Sequence, residues 1–195
     1  MDIENLYKVI DEEKRLYLNS REKTMKFAMH PRYAIWTYLQ YFRLCRYWHD
    51  VRESEDVSAL AKRRAKYIYR VYERRKNIWG QRAGVEIGLD SEVGAGVNIW
   101  HGGVIINGRL GDNCVLHGNN TIGNKRSGAK DDTPVIGNNV DIGAGAVIIG
   151  GIHIADNCVI GAGAVVTRSC ETPGSVLAGV PARVIGNISD KNKEA

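Results

Sequence analysis

The sequence predicts a parallel β-helix of triangular cross-section over residues 84–186, preceded by a small α-helical segment over residues 1–80. The chain holds 22 glycines, and only Gly80 precedes position 84. Beyond that position aliphatic residues recur every six places, whereas the chain before it is rich in Arg, Lys, Tyr and Trp. Glycine at regular intervals indicates turns, and its absence favours helices. A boundary is therefore expected near residues 79–84, and a short tail over 187–195.

The six-residue period is the main signal for the fold. The side chains predicted to point inward are Ile87, Val93, Ile99, Ile105, Leu110, Leu116, Ile122, Ile136, Ile142, Ile148, Ile154, Ile160 and Val166, with a shift of one place after Ile105. A period of six fits neither the helix period nor strand alternation. It fits a solenoid whose sides are short strands, and three sides close a coil of about 18 residues.

An internal duplication supports the three-sided coil. The segment Leu110–Leu116, LGDNCVL, recurs as Ile154–Ile160, IADNCVI, 44 residues later. Between them Ile122 and Ile136 lie 14 apart instead of six, and removing that excess of eight leaves 36 residues, or two whole coils. The polar segment 124–134 falls in this interval. It is predicted to project from the prism as a loop, where functional residues often lie.

Three amphipathic helices are predicted before the repeats. They cover residues 2–18, a stretch beginning at Pro31, which is a favoured first helical position, and residues near 57–77. The third is predicted to bury an apolar stripe made of Leu60, Tyr67, Ile68, Val71 and Tyr72. Such a small core favours packing on the repeat domain or on a second subunit.

The charge and the aromatic residues of this segment leave alternatives open. The net charge of +5 is concentrated there, in runs at 62–64 and 74–76. These runs suit a solvated helix face or an anionic partner, and we favour the former over nucleic acid or membrane. Aromatic residues suit core and subunit packing, or contact with a membrane surface; they are Trp36, Tyr41, Tyr47 and Trp48.

Composition also bears on the compartment. No apolar stretch approaches the roughly 20 residues of a membrane span, and the charged N-terminus does not resemble an export signal. The four cysteines lack any CxxC spacing. These features predict a cytoplasmic protein with reduced thiols.

The hexads resemble those of the left-handed β-helix acyltransferases. The likeness rests on the repeat register, on IGAGA at 142–146 and 160–164, and on AGVPARVIG at 178–186. It is strongest to serine acetyltransferases and to the related O-acetyltransferases of capsule and exopolysaccharide pathways. The resemblance implies a left-handed coil, acetyl-CoA as cosubstrate and a homotrimer, with a dimer of trimers as a further option.

His101 is the candidate catalytic base, because it occupies the position of that base in serine acetyltransferases. The acidic residue that orients the base in those enzymes matches Glu86, 15 residues upstream. The register agrees, since it puts both on one side of the prism in consecutive coils, about 5 Å apart in strand spacing. Acetyl transfer also needs donors for the developing oxyanion, and the backbone amides of Gly102 and Gly103 are candidates.

The acceptor side departs from the family pattern. Serine acetyltransferases have an Asp before the base and a His in the loop, both of which hold serine; Trp100 and Thr133 stand at those positions here. Trp100 suggests a stacking platform for a sugar ring, or a packed turn aromatic. His117 is a reserve base or an acceptor contact. We therefore expect a sugar hydroxyl in cell-surface polysaccharide biosynthesis as acceptor, with L-serine for cysteine biosynthesis as the alternative and a non-catalytic scaffold as the rival.

The resemblance implies that acetyl-CoA lies in the groove between adjacent prisms. The candidate cofactor contacts are Gly123, Asn124, Ala144, Ala162, Thr167, Arg168, Ala178 and Arg183. Arg168 and Arg183 suit phosphate groups, while the small residues are also what coil corners require. Some left-handed β-helices hold zinc between subunits, but His117 and His153 fall out of phase, so no metal site is predicted.

Overall fold

The computed structural model describes residues 2–18, 21–126 and 132–189. The chain divides into two compact units, Met1–Val85 and Glu86–Ala195. Residues 127–131 of the predicted loop and 190–195 of the predicted tail lie outside the described residues. Among the described residues, no helix combines the length and the apolar character that crossing a membrane requires.

The described residues of the first unit form four helices, α1 (Ile3–Leu18), α2 (Glu22–Phe27), α3 (Pro31–Glu53) and α4 (Ala59–Ala83). Helix α3 begins at Pro31 as predicted, and the His30 side chain accepts a hydrogen bond from the Arg32 amide at 3.2 Å. The Ser58 hydroxyl caps α4 by accepting from the Ala61 amide at 3.3 Å. The helix ends at Ala83 and is capped by Gly84, whose φ of 64° is left-handed and suits glycine.

Aromatic residues form part of the interior of this unit. Trp36 is only 7% exposed. Tyr41 and Tyr47 pack against a cluster of Leu6, Ile10 and Leu44. The membrane alternative for Trp36 is therefore wrong, because its ring is buried. A buried ion pair between Arg43 of α3 and Glu13 of α1, with Nε to Oε2 at 2.8 Å, joins these two helices.

Helix α4 buries only part of the predicted apolar stripe: Ile68 and Tyr72 are half-buried, and Tyr72 packs on the Leu6, Ile10 and Leu44 cluster. Leu60 and Tyr67, predicted to be buried, are 61% and 73% exposed, whereas Ala65 and Tyr69 are buried. The reason is close packing against α3. A Cβ added at Gly80 would stand 3.0 Å from the Tyr38 ring, so this position requires glycine. The rest of the contact face is largely aromatic, with Tyr69, Tyr72 and Trp79 against His49, Tyr41 and Tyr33 of α3.

The second unit is a left-handed parallel β-helix with three sheets. Sheet A contains β1 (Val85–Ile87), β4 (Val104–Ile106), β7 (Thr121–Gly123), β10 (Val147–Ile149) and β13 (Val165–Val166). Sheet B contains β2 (Glu92–Val93), β5 (Arg109–Leu110), β8 (Val135–Ile136) and β11 (His153–Ile154). Sheet C contains β3 (Asn98–Ile99), β6 (Val115–Leu116), β9 (Asp141–Ile142), β12 (Val159–Ile160), β14 (Ser175–Gly179) and the antiparallel β15 (Ala182–Asn187).

The core consists of aliphatic ladders that run along the axis. In sheet C, Ile99 pairs with Leu116, Leu116 with Ile142 and Ile142 with Ile160, and each is at most 1% exposed. Each coil therefore buries its aliphatic residues on those of the next, which supplies the hydrophobic stabilisation of the prism.

One inward position was predicted wrongly. Ile105 is 47% exposed, whereas Val104 and Ile106 on either side are buried. Strand β4 alternates like β1, with its middle residue outward. The turn before β4 is therefore one residue longer than a regular hexad, and the turn after it is shorter.

Candidate functional site

Two edges of the prism carry most of the candidate residues. At the first, sheet C leads into sheet A, and we call it the C–A edge. The positions that follow the sheet C ladder there are, coil by coil, Trp100, His117, Gly143, Gly161 and Ala178. The next positions are His101, Gly118, Ala144, Ala162 and Gly179. The structure thus brings Trp100, His101, His117, Ala144, Ala162 and Ala178 together on one edge.

His101 lies exposed in the turn between β3 and β4, followed by Gly102 and Gly103. Its support is Gly118 of the next coil. A Cβ added at Gly118 would stand 2.7 Å from the His101 Cβ, and the φ of Gly118 is +113°. Glycine at 118 therefore lets the backbone of the next coil approach the base closely, while the imidazole stays accessible from outside.

Glu86 occupies the middle of β1, with its side chain exposed between buried Val85 and Ile87. Strand β4 pairs with β1, and the turn that holds His101 leads directly into β4. The two residues thus lie in consecutive coils, with His101 at the edge of sheet A and Glu86 on its outer surface. In the described part of the chain no hydrogen bond joins them, so their pairing stays a prediction.

His117 is held much more firmly than His101. Its Nε2 lies 2.8 Å from Oδ1 of Asp141, and its ring centroid lies 4.4 Å from that of Trp100 at 47°. His117 is half-buried, whereas Trp100 is 42% exposed. The carboxylate fixes which ring nitrogen faces it, and the indole covers one side of the ring.

Two side chains at this edge were missed by the sequence reasoning. Asp141 is the first residue of β9 and pairs with Val115 of β6, which lies two residues before His117. Only a coil-by-coil alignment across the loop would have shown that Asp141 is near His117. Asn120 is fully buried. Its oxygen accepts from the Gly118 amide at 2.9 Å and its amide donates to the Gly143 carbonyl at 2.8 Å, so it clamps the turn that supports His101.

Four of the other cofactor candidates lie at the edge where sheet A leads into sheet B, which we call the A–B edge, and Arg183 lies apart from them on sheet C. Gly123 ends β7, and Thr167 and Arg168 follow β13. The Asn124 oxygen accepts from the Asn107 amide nitrogen at 3.2 Å. Arg183 is on β15, exposed and paired in register with Ala178. Sheet A separates these two edges within one chain.

The root of the loop is anchored by Asp132, next to the half-buried Thr133. Asp132 accepts from the Gly151 amide at 2.7 Å and from the Lys125 amide at 3.1 Å. The Gly151 hydrogen bond is the main reason that the pKa of Asp132 lies below its ordinary value.

The two histidines considered for a metal site lie on different sides of the prism. His117 pairs with Asp141 at the C–A edge, whereas His153 is in β11 of sheet B, with its Nδ1 2.6 Å from Glu171 Oε2. Over residues 2–18, 21–126 and 132–189, no three His, Cys, Asp or Glu side chains come together in a group that could hold a metal ion.

The family model that matches this chain lies within the hexapeptide repeats. The model of the bacterial transferase hexapeptide family, described as six repeats, matches residues 133–168. A serine acetyltransferase of Synechococcus elongatus is 42% identical over 107 residues, which cover 52% of this chain and 43% of that protein. A galactoside O-acetyltransferase of Escherichia coli is 42% identical over 94 residues, covering 43% and 46%. The chain thus spans less than half the length of these two relatives.

Comparison with solved structures covers more of the chain. The serine acetyltransferase of Neisseria gonorrhoeae superposes with a TM-score of 0.67 and 26% identity, over 94% of this chain and 66% of that chain. A serine acetyltransferase of Brucella abortus in complex with coenzyme A gives a TM-score of 0.65 and 26% identity, over 94% and 68%.

Proposed function

We propose that this chain, whose repeat domain belongs to the left-handed β-helix acyltransferase superfamily, transfers the acetyl group of acetyl-CoA to a hydroxyl group. The observation that carries the proposal is the accessible imidazole of His101 on the C–A edge, backed by Gly118, with Ala144 and Ala162 two and three coils further along the same edge. The acetyltransferases among its relatives and the coenzyme A complex of a structural neighbour support the same reaction.

The reaction needs one proton carrier and one oxyanion site. His101 takes the proton of the acceptor hydroxyl while its oxygen attacks the thioester carbonyl. Backbone amides near Gly102 and Gly103 hold the oxyanion of the tetrahedral intermediate. The C–S bond then breaks, the acetyl group stays on the acceptor, and the departing coenzyme A thiolate takes the proton from the His101 imidazolium. Glu86 acts through His101 by stabilising that imidazolium.

A trimer would complete the cofactor site. On one prism the predicted coenzyme A contacts lie on two edges separated by sheet A, and a convex edge cannot enclose a ligand. If adjacent prisms set the C–A edge of one subunit against the A–B edge of the next, Ala144 and Ala162 would face Thr167 and Arg168 across one groove. Arg168 and Arg183 are exposed and suit the phosphates there.

L-serine is the acceptor that the relatives support best, since most of those found are named serine acetyltransferases. The sequence-based preference for a sugar has less support than its alternative. A saccharide hydroxyl stays the second candidate because of the galactoside O-acetyltransferase and the exposed Trp100 ring.

The test is His101→Ala combined with an acceptor screen. Free thiol release from acetyl-CoA is measured with L-serine, nucleotide sugars and oligosaccharides. Loss of a general base should lower kcat by roughly 10²–10⁴-fold with little change in the KM for acetyl-CoA. The matched control is His153→Ala, an exposed histidine of sheet B, which should keep full activity.

A parallel variant, Asp141→Asn, separates the two histidines. We expect it to raise the KM for the acceptor with a small effect on kcat, because it loosens His117 and leaves His101 in place. A loss of kcat equal to that of His101→Ala would move the base to His117. Undiminished turnover in His101→Ala would overturn the mechanism.

A further inference from the structure

Helix α4 carries a line of exposed apolar side chains that the catalytic proposal does not use. Leu60, Tyr67, Val71 and Ile78 are 61%, 73%, 37% and 42% exposed. At 3.6 residues per turn they fall within about 40° of arc, so they form one straight line on the helix. The line is roughly 27 Å long at 1.5 Å per residue. We call it, with its flanking arginines, the α4 face.

Arginines border this line on both sides. Helical geometry puts Arg63, Arg70 and Arg74 on one flank, and Arg64 and Arg75 on the other. The helix holds nine Lys or Arg residues and one carboxylate, Glu73, which is half-buried and accepts a 2.6 Å hydrogen bond from Tyr69. The α4 face is therefore cationic and apolar at once.

The cations of the α4 face differ from those of α1 and α3. In those helices Arg15 pairs with Asp11, Arg43 with Glu13, and Arg46 with Asp50. No ion pair is formed by Arg63, Arg64, Arg70 or Arg74 with any described residue. Arg75 lies over the Tyr41 ring at 5.7 Å and donates a 3.5 Å hydrogen bond to the Tyr41 hydroxyl, a neutral partner that leaves its charge unbalanced. The positive charge of the α4 face is thus available to an external anion.

The chemistry of the α4 face selects among possible occupants. A second copy of the same face would set arginines against arginines, which repel. A nucleic acid would pair with the arginines and leave Leu60, Val71 and Ile78 in contact with phosphate and water. An anionic bilayer suits both the arginines and the apolar side chains. Its phosphate headgroups pair with the arginines, and the apolar line enters the boundary between the headgroups and the acyl chains.

We propose that the α4 face binds the surface of a membrane that contains anionic lipid, and so holds the chain at that surface without crossing the bilayer. The juxtaposition that carries the proposal is the exposed apolar line between two rows of arginines, none of which forms an ion pair with a described residue, on a helix of 25 residues. It does not depend on acetyl transfer, because binding is measured without acetyl-CoA or an acceptor.

The experiment is flotation of the full chain with vesicles of equal parts phosphatidylglycerol and phosphatidylcholine, beside vesicles of phosphatidylcholine alone. We expect binding to the anionic vesicles that weakens steeply with salt, because surface attraction is screened. Replacing Arg63, Arg70 and Arg74 by Gln should lower the partition coefficient roughly fivefold per arginine, or about 100-fold in all. Leu60→Gln with Val71→Gln should weaken binding at any salt concentration.

The matched control replaces Lys8, Arg15 and Arg109, exposed cations on other elements, by Gln. It removes the same net charge and should keep most of the binding. Circular dichroism checks that every variant is folded, and the exposed positions make unfolding unexpected. Equal loss in the control, or equal binding to neutral vesicles, would overturn the proposal. So would binding of duplex DNA without flotation, or self-association that the α4 variants abolish.

Discussion

At the residue scale, the two histidines of the C–A edge differ in a way that assigns them different roles. His117 is half-buried, hydrogen-bonded to Asp141 and covered by Trp100, so it cannot turn without breaking that bond. His101 is exposed and stands against a glycine. A catalytic base must reach its substrate and be able to take up and release a proton, whereas a residue that only contacts the acceptor must hold one orientation. This difference supports His101 as the base and His117 as an acceptor contact.

Gly118→Ala tests whether the backing glycine positions His101. A methyl group there would stand 2.7 Å from the His101 Cβ at a φ of +113°, so the turn must shift and carry the base with it. We expect kcat to fall at least tenfold and stability to drop by about 1–3 kcal/mol from backbone strain. Steady-state kinetics and thermal unfolding measure the two effects.

The matched control for this prediction is Gly174→Ala. Gly174 also has a positive φ, +72°, but it lies in the last coil beside Asn187. The control should lose stability and keep kcat within about twofold. If Gly118→Ala also kept kcat, the backing glycine would have no part in positioning the base.

The sequence identified some residues of this edge and not others, for a physical reason. His101 and Trp100 stand out because imidazole and indole are rare in hexads and the register places them. Asp141 and Asn120 do not stand out, because Asp and Asn are ordinary residues near β-helix turns. Only the pairing of Val115 with Asp141, across a loop that breaks the period, brings Asp141 near His117.

At the element scale, strand β4 shows why a period alone misplaces a residue. A six-residue count gives Ile105 as inward, but the strand buries Val104 and Ile106 instead. Three aliphatic residues in a row fit two registers equally well, and the pleat of β4 beside β1 decides between them. Hydropathy carries no information on that choice.

The pair Ile106→Ala and Ile105→Ala tests the observed register with the same chemical change on neighbouring residues. Ile106 is 1% exposed and Ile105 is 47% exposed. We expect Ile106→Ala to cost about 2–5 kcal/mol in the free energy of unfolding through a cavity, and Ile105→Ala less than about 1 kcal/mol. Urea unfolding followed by circular dichroism measures both, and the reverse order would restore the register expected from the six-residue count.

The loop root gives a pH prediction at the same scale. The pKa of Asp132 is lowered in the folded chain, first by the Gly151 hydrogen bond, from an ordinary value of 3.8. A carboxylate with a lowered pKa stabilises the fold above its unfolded pKa, and that stabilisation is lost as the pH falls through the folded pKa. The extra protection of the Gly151 amide, relative to Asp132→Asn, should therefore be complete well above pH 3.8 and be lost as the pH falls below 3.8 through the folded pKa.

Hydrogen exchange at the Gly151 amide, followed by NMR at each pH, measures this protection. Asp90→Asn, which removes an exposed carboxylate elsewhere in the β-helix, should leave the exchange unchanged. Protection that is independent of pH would contradict the anchoring role of Asp132.

Helix α4 shows that an apolar stripe can be predicted correctly from the sequence and still not lie in the core. The apolar stripe at Leu60, Tyr67 and Val71 is real, but it faces outward. The face that packs on α3 combines aromatic rings such as Tyr69 with a close approach at Gly80, where a Cβ would crowd the Tyr38 ring. A stripe of large apolar residues predicts a hydrophobic helix face, but it does not identify the element or partner that packs on that face.

At the scale of the whole molecule, the two units differ in how far their sequences determine them. In the β-helix each coil repeats one local rule, so the register could be counted from the chain and checked by its own duplication. In the helical unit the core depends on contacts between distant helices, such as Arg43 with Glu13. No period marks such a pair, and so helix positions could be predicted but their buried faces could not.

The four thiols report on the two units separately, because Cys45 lies in the helical unit and Cys114, Cys158 and Cys170 lie in the β-helix, all buried. Burial raises the pKa of Cys45 and of Cys114 to about 11. Near pH 8 the native Cys45 and Cys114 thiols should therefore react with an aromatic disulfide reagent far more slowly than a free cysteine, since the thiolate is the nucleophile.

Increasing urea should expose one thiol before the other three, since the helical unit has the smaller core and the β-helix buries continuous ladders. Mass spectrometry of the labelled peptides identifies which cysteine reacts at each urea concentration. Cys45→Ser supplies the control, because it should remove the labelling step at low urea and leave the labelling of the three β-helix cysteines at higher urea unchanged. Release of the β-helix thiols first would show that the stacked coils are the weaker unit, contrary to the stability that we assign to their core.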